Sequence, residues 1–208
     1  MAITTYAELQ TAVADFLNRD DLTATVPTFI GLVEDMINRD VRHWRMENRA
    51  QGEIDGQFLT RPTDWVETIR FHITGNGTTV LNLISGAAMA EKRAAASDTS
   101  GRPVFYCNSR DRFELYPSPD TDLYVSELLY YQKLPALSDT NTSNWLLEEA
   151  ADVYLYGALM HSAPYLQEDE RGRTWGALYA SAVERLNSNS DQAKWSGSGL
   201  TMKIKGLG

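Results

Sequence analysis

Hydrophobic positions along the chain change period twice, and the changes mark out its elements. Thr5-Tyr6-Ala7-Glu8 spells a capping box, in which a hydroxyl and a carboxylate satisfy each other's backbone amides. Tyr6, Leu9, Val13, Phe16 and Leu17 follow at helical spacing and predict a first helix over 6–18. After a polar turn, Pro27 suits the first position of a second helix because its missing N–H has no partner there anyway. Val26, Phe29, Ile30, Val33, Ile37, Val41 and Trp44 form its apolar stripe, opposite Glu34, Asp35, Asn38, Arg39 and Arg42.

From Glu47 to Pro135 the period shortens to two. Ile69, Phe71 and Ile73 alternate with Arg70, His72 and Thr74, as in a half-buried strand. Gly75-Asn76-Gly77 is a tight-turn signal leading to a returning strand, Thr78 to Ile84. With Glu47 to Ile54, Val104 to Asn108, Phe113 to Tyr116 and Leu123 to Tyr131, this predicts about six strands, interrupted by one short helix over 87–96.

Helical spacing then returns. Asn144 to Leu166 reads as one helix, apolar or aromatic on nearly every side, with Glu148, Glu149 and Asp152 in its first turns, where the helix dipole favours anions. Such a helix must be sandwiched between other elements or subunits. Its aromatics Trp145, Tyr154, Tyr156 and Tyr165 are expected to be structural. A last helix spans 169–188 and extends toward Trp195, with Trp175, Leu178, Tyr179, Ala182, Val183 and Leu186 inward. The expected fold is therefore α+β: a bundle of about four long helices from residues 1–46 and 140–195, a β-rich antiparallel insertion over 47–139 with one short helix, and a C-terminal tail over 196–208. The tail begins with a Gly/Ser hinge, and Leu200, Met202, Ile204 and Leu207 then alternate or nearly alternate with Thr201, Lys203 and Lys205. Hinged alternation of this kind favours a segment that orders on a partner, as an added strand or in a groove.

Composition narrows the function. With 19 basic and 28 acidic residues the net charge is −9, which argues against a sequence-reading nucleic-acid binder. The single cysteine, Cys107, allows no disulfide within the chain and suits synthesis in a reducing compartment. The N-terminus lacks the basic start and apolar core of a secretory signal, and no apolar run is long enough to span a membrane. No P-loop, G-x-S-x-G, H-E-x-x-H or C-x-x-C is present. His43, His72 and His161 lie on three elements without a second ligand at metal spacing, so neither metal nor cofactor is expected. Asp20-Asp21 and Asp120-Thr121-Asp122 read as turns. Glu47, Glu53 and Asp55 are the one group resembling a glycosidase carboxylate pair, which needs two acids flanking a sugar bond.

An ordered series of short motifs carries a resemblance. It runs through Pro62-Thr-Asp-Trp65 with Glu67 and Arg70, Arg102-Pro-Val-Phe-Tyr106, Phe113-Glu-Leu-Tyr-Pro-Ser-Pro119, Leu128-Leu-Tyr-Tyr131 and Leu134-Pro135. Asn144-Trp-Leu-Leu147, Tyr154-Leu-Tyr-Gly157 with Ala163, Tyr165 and Leu166, then Glu168-Asp-Glu-Arg171 with Trp175 and Tyr179 complete it. The chain resembles the tailed-phage adaptor proteins of the head–tail connector over nearly its whole length. The resemblance implies a non-enzymatic virion protein, made in the host cytoplasm, forming a ring expected to hold twelve copies beneath the portal. Such a ring extends the channel through which double-stranded DNA passes without sequence-specific binding, and meets nozzle or fibre proteins below. By position and composition, Trp195, Leu200, Met202, Lys203, Ile204, Lys205 and Leu207 are expected to dock on the portal. The alternative is a virion-associated cell-wall hydrolase built on the Glu47, Glu53 and Asp55 carboxylates.

Overall fold

The computed structural model describes residues 2–74, 77–95, 100–120, 124–167 and 169–196. Contacts divide the chain into two compact units, Met1–Arg45 with Leu134–Gly208, and Met46–Lys133.

The first unit is helical. Its N-terminal capping box forms as spelled: the Glu8 amide donates to Thr5 Oγ1 at 3.3 Å and the Thr5 amide to Glu8 Oε2 at 3.0 Å. It opens helix α1 (Tyr6–Leu17), which ends on Asn18 in the left-handed region, φ 51°. A 3-10 turn (Asp20–Leu22) leads to α2 (Val26–Asp40). After the second unit come α4 (Trp145–Glu149), α5 (Ala151–Leu166) and α6 (Asp169–Trp195). Helix α5 packs against α1, α2 and α6, and Val153, Tyr154, Ala158 and Leu159 are fully buried.

The second unit begins after a 3-10 turn (Trp44–Met46). It contains β1 (Glu47–Ile54), β2 (Phe58–Thr60), β3 (Trp65–Thr74), β4 (Thr79–Val80), β5 (Asn82–Leu83), helix α3 (Gly86–Ala95), β6 (Phe105–Ser109), β7 (Arg112–Tyr116) and β8 (Tyr124–Gln132). Two four-stranded sheets form, in the orders β1-β8-β3-β4 and β2-β7-β6-β5. They share one core, with Ile54, Phe71, Ile73, Leu128 and Tyr130 from the first sheet and Tyr106, Phe113 and Leu115 from the second.

This architecture corrects the expected four-long-helix bundle with an antiparallel insertion. Among the described residues there are six α-helices, of unequal length. The stretch 144–166 is two helices, because Ala150 leaves helical geometry at φ −142°, ψ 56°. Trp145 then stacks on His43 at 4.8 Å while Leu146 and Leu147 are wholly buried. A run of good helix formers carries no breaker at that point, so side-chain packing, not propensity, sets the break. Two sheets form, and the second is mixed. β5 runs parallel to β6, pairing Asn82 with Phe105 and Leu83 with Tyr106. Parallel neighbours need a crossover, and α3 supplies it. The expected returning strand over 78–84 divides at Leu81, whose amide donates to Phe71 O while the Asn82 amide donates to Val104 O. Its two halves therefore belong to different sheets. The Gly75-Asn76 part of the turn lies outside the described residues.

A polar hub ties the 134–144 connector to the helices. Glu34 Oε1 accepts from the Leu137 amide at 2.7 Å and from Tyr154 Oη at 3.4 Å. Asn144 donates to Tyr154 Oη at 2.8 Å and accepts from the Leu147 amide at 3.0 Å, capping α4. Burial raises the Glu34 carboxyl above its ordinary value and the Tyr154 phenol above its own. The helices approach most closely at Gly157, where a Cβ would collide with the Val33 side chain and meet Tyr179 Cδ2 at 3.2 Å. Gly157→Ala should therefore destabilise by about 1–3 kcal/mol despite its better helix propensity. Gly31→Ala, in α2 with nothing within 4 Å of the new Cβ, should stabilise by up to about 1 kcal/mol. Thermal unfolding of the two variants, read as opposite shifts in Tm, checks both.

Candidate functional site

The C-terminal half of α6 is held by hydrogen bonds to the residues that follow α2. Asn187 accepts from the Arg42 amide at 3.0 Å and donates to Asp40 O at 3.0 Å. The buried Ser190 accepts from the Trp44 amide at 2.9 Å, and Tyr179 Oη donates to Asp40 Oδ2 at 3.2 Å. Burial and the Asp40 carboxylate push the Tyr179 phenol above its usual range. These bonds give the last turns of an otherwise polar helix a fixed direction. Trp195, the last residue of α6, is 65% exposed. An open groove of about 650 Å³ along α6 is lined by Tyr179, Val183, Asn187 and the acids Asp40, Glu184 and Asp191.

Of the sequence-derived docking residues, Trp195 is thus placed on the surface, while Leu200, Met202, Lys203, Ile204, Lys205 and Leu207 lie outside the described residues. Three exposed aromatics were expected in the interior, and one of them is Trp44, 46% exposed beyond the end of α2. Phe16 is 52% exposed and Tyr165 60%. Phe16 lies about 100° round the helix from Leu17 but only about 20° from Leu9, at the margin of the Leu9, Val13, Leu17 row. It meets the Trp175 ring edge-on at 6.2 Å, and Trp175 in turn stacks on Tyr156 at 6.0 Å. Spacing alone does not separate Phe16 from the buried row. Nor does it for Tyr165, whose contact, the Phe29 ring at 5.8 Å, comes from a distant helix.

The carboxylates of the hydrolase alternative lie along one edge. Glu47 and Glu53 are the first and seventh residues of β1, about 20 Å apart at the rise of a strand. A glycosidase pair needs about 5–10 Å. Glu53 and Asp55 are both solvent-exposed. Cys107 is buried, and burial first, then the neighbouring Glu114 carboxylate, raises its thiol, the opposite of an activated nucleophile. His161 Nε2 lies 3.0 Å from Met36 Sδ. Among the described residues no group of three or more His, Cys, Asp or Glu could hold a metal ion. No helix among them is long and apolar enough to cross a membrane.

The described residues carry no assembled catalytic or metal site, and exposed aromatics are left on the helical unit. The particular family follows from comparison with known sequences. The profile of the SU10 adaptor protein family matches residues 4–202, and the chain belongs to that family. It is a phage adaptor, a structural protein of the virion. No curated protein matches the chain.

Burial lowers the ionisation of His43 and His161 below the ordinary imidazole value of 6.5, with Arg45 and Lys194 adding to the effect at His43 and Arg39 at His161. The native state then binds fewer protons than the unfolded chain, so stability increases with pH across this window. Their contribution is complete above pH 6.5 and is lost as pH falls through that value toward the lowered ones. His43→Phe, which keeps an aromatic ring on Trp145, should flatten the dependence of Tm on pH between about 5 and 7.

Proposed function

We propose that the chain is a subunit of a ring that joins the portal to the tail at the head–tail junction and extends the DNA channel. The observation that carries this reading is the family match over residues 4–202. The ring is expected to contain twelve copies. A heterologous contact repeated between identical subunits closes into a ring when its rotation allows. Phe16 and Tyr165 are among the exposed aromatics that such lateral packing would cover. A net charge of −9 suits a channel past which DNA slides without being held, because basic contacts to phosphate would retain it. The subunit's role is structural, without catalysis.

Portal docking is assigned to the C-terminal segment, with Trp195 at its base and Leu200, Met202, Ile204 and Leu207 as apolar contacts flanked by Lys203 and Lys205. The anchored end of α6 supports this assignment, since it presents the start of the segment in a set direction. Nozzle or fibre proteins occupy the opposite side of the ring.

Deleting residues 200–208 should leave a soluble, folded subunit with an unchanged far-ultraviolet spectrum that no longer co-sediments with portal rings. Trp195→Ala should weaken co-sedimentation by about tenfold, the loss expected for one buried aromatic contact of 1–2 kcal/mol. Undiminished portal binding by the deletion variant would remove the segment from the docking role.

A further inference from the structure

The two sheets of the strand unit leave one side open. β1 is an edge strand of the first sheet and β2 an edge strand of the second. Between them lies a small cavity of about 70 Å³, lined by Ala50, Gly52, Leu59, Pro62, Phe113 and Leu128. Its floor is the shared core, and its β1 wall is made of Ala50 and Gly52, the two smallest side chains on that strand, with Gln51 between them. β1 is eight residues long, and among the described residues no strand pairs with its outer edge. The Arg49 amide is met instead by the neighbouring Asn48 Oδ1 at 2.8 Å. A free edge of this length is a template for an added strand.

The residues of β1 alternate with a definite parity. Ala50, Gly52 and Ile54 face the core and cavity, whereas Arg49, Gln51 and Glu53 are exposed. Leu200 to Leu207 has the same length, and its sequence alternates Leu200, Met202 and Ile204 with Thr201, Lys203 and Lys205, Leu207 alone of the aliphatics falling on the lysine parity. Antiparallel pairing of Ile204 with Gly52 places Met202 beside Ile54, Lys203 beside Glu53 and Lys205 beside Gln51. In that register the branched Ile204 side chain enters the cavity where Gly52 offers none. A lysine meets the exposed glutamate, and no like charges oppose each other. Shifting the strand by one residue would turn the aliphatics to solvent.

We propose that the outer edge of β1 is a strand-addition site and that its occupant is Leu200–Leu207 of a second copy of this chain. This rests on the multi-copy reading above and concerns subunits whose C-terminal segment has not yet engaged a portal. The segment holds one place at a time, so portal docking and strand addition exclude each other. Exchange of a strand from each copy to the next is a heterologous contact, the kind that generates rings and not closed dimers.

Full-length Glu53→Cys and Lys203→Cys chains, carrying tags of different size, are mixed and mildly oxidised. Directly opposed residues on antiparallel strands lie within disulfide reach. The expected product is a covalent heterodimer that free peptide Leu-Thr-Met-Lys-Ile-Lys-Gly-Leu suppresses in excess. Sedimentation supplies the second measurement. Self-association of the portal-free chain should weaken about fivefold or more in Glu53→Lys and recover when Lys203→Glu is added. No cross-link together with unchanged association would overturn the site. A cross-link formed within single chains carrying both cysteines, and absent from the mixture, would overturn the second copy as occupant. Portal co-sedimentation of the same variants is read separately. No cross-link and unchanged association, with the 200–208 deletion still abolishing portal docking, refutes only this inference; a cross-link with portal docking undiminished by that deletion refutes only the docking assignment.

Discussion

The helical unit depends on how closely α5 and α2 approach. At Gly157 there is no room for a Cβ against Val33, so the two helices meet backbone to side chain instead of side chain to side chain. This closeness puts Tyr154 inside, where its hydroxyl needs polar partners, and Asn144 and Glu34 supply them. The same two residues hold the connector over 134–144. One steric constraint thereby sets the position of α4, the break at Ala150 and the direction of the chain as it enters α5. Helix α6 packs on the remaining side of α5 and carries Trp195 to the surface.

The strand unit is governed by its edges. Its core is closed by two sheets whose central strands pair on both sides, while β1 and β2 are left with a free flank. Exposed Arg49, Gln51 and Glu53 keep that flank soluble. Gly52 and Ala50 leave the cavity behind it open. The flank is thus polar on its outward face and open behind it.

Much of the local structure was legible because it follows from short-range chemistry. The Thr5–Glu8 capping box and the Val26 to Ile37 stripe each rest on neighbours within a few residues and form as written, whereas the Ile69 to Ile73 alternation holds only at Phe71 and Ile73, Ile69 being exposed beside a register shift. The ordered motif series pointed to the adaptor family that the profile match establishes. The exposed ends were less legible. Phe16 and Tyr165 look like core residues in the sequence, and only the packing of distant helices leaves them outside.

By itself the sequence determined the α+β class, most helix starts, most strand faces and the family. Those depend on periodicity, capping and residue order, which are properties of neighbouring positions. Only the tertiary structure decided that 144–166 is broken at Ala150, that residues 79–83 serve two sheets and that β1 has a free edge. Each of these turns on contacts between residues far apart in the chain. His43 stacks on Trp145, Phe71 pairs with Leu81, and α3 carries the chain across between β5 and β6. Local propensity is nearly indifferent to such alternatives, and long-range packing chooses among them.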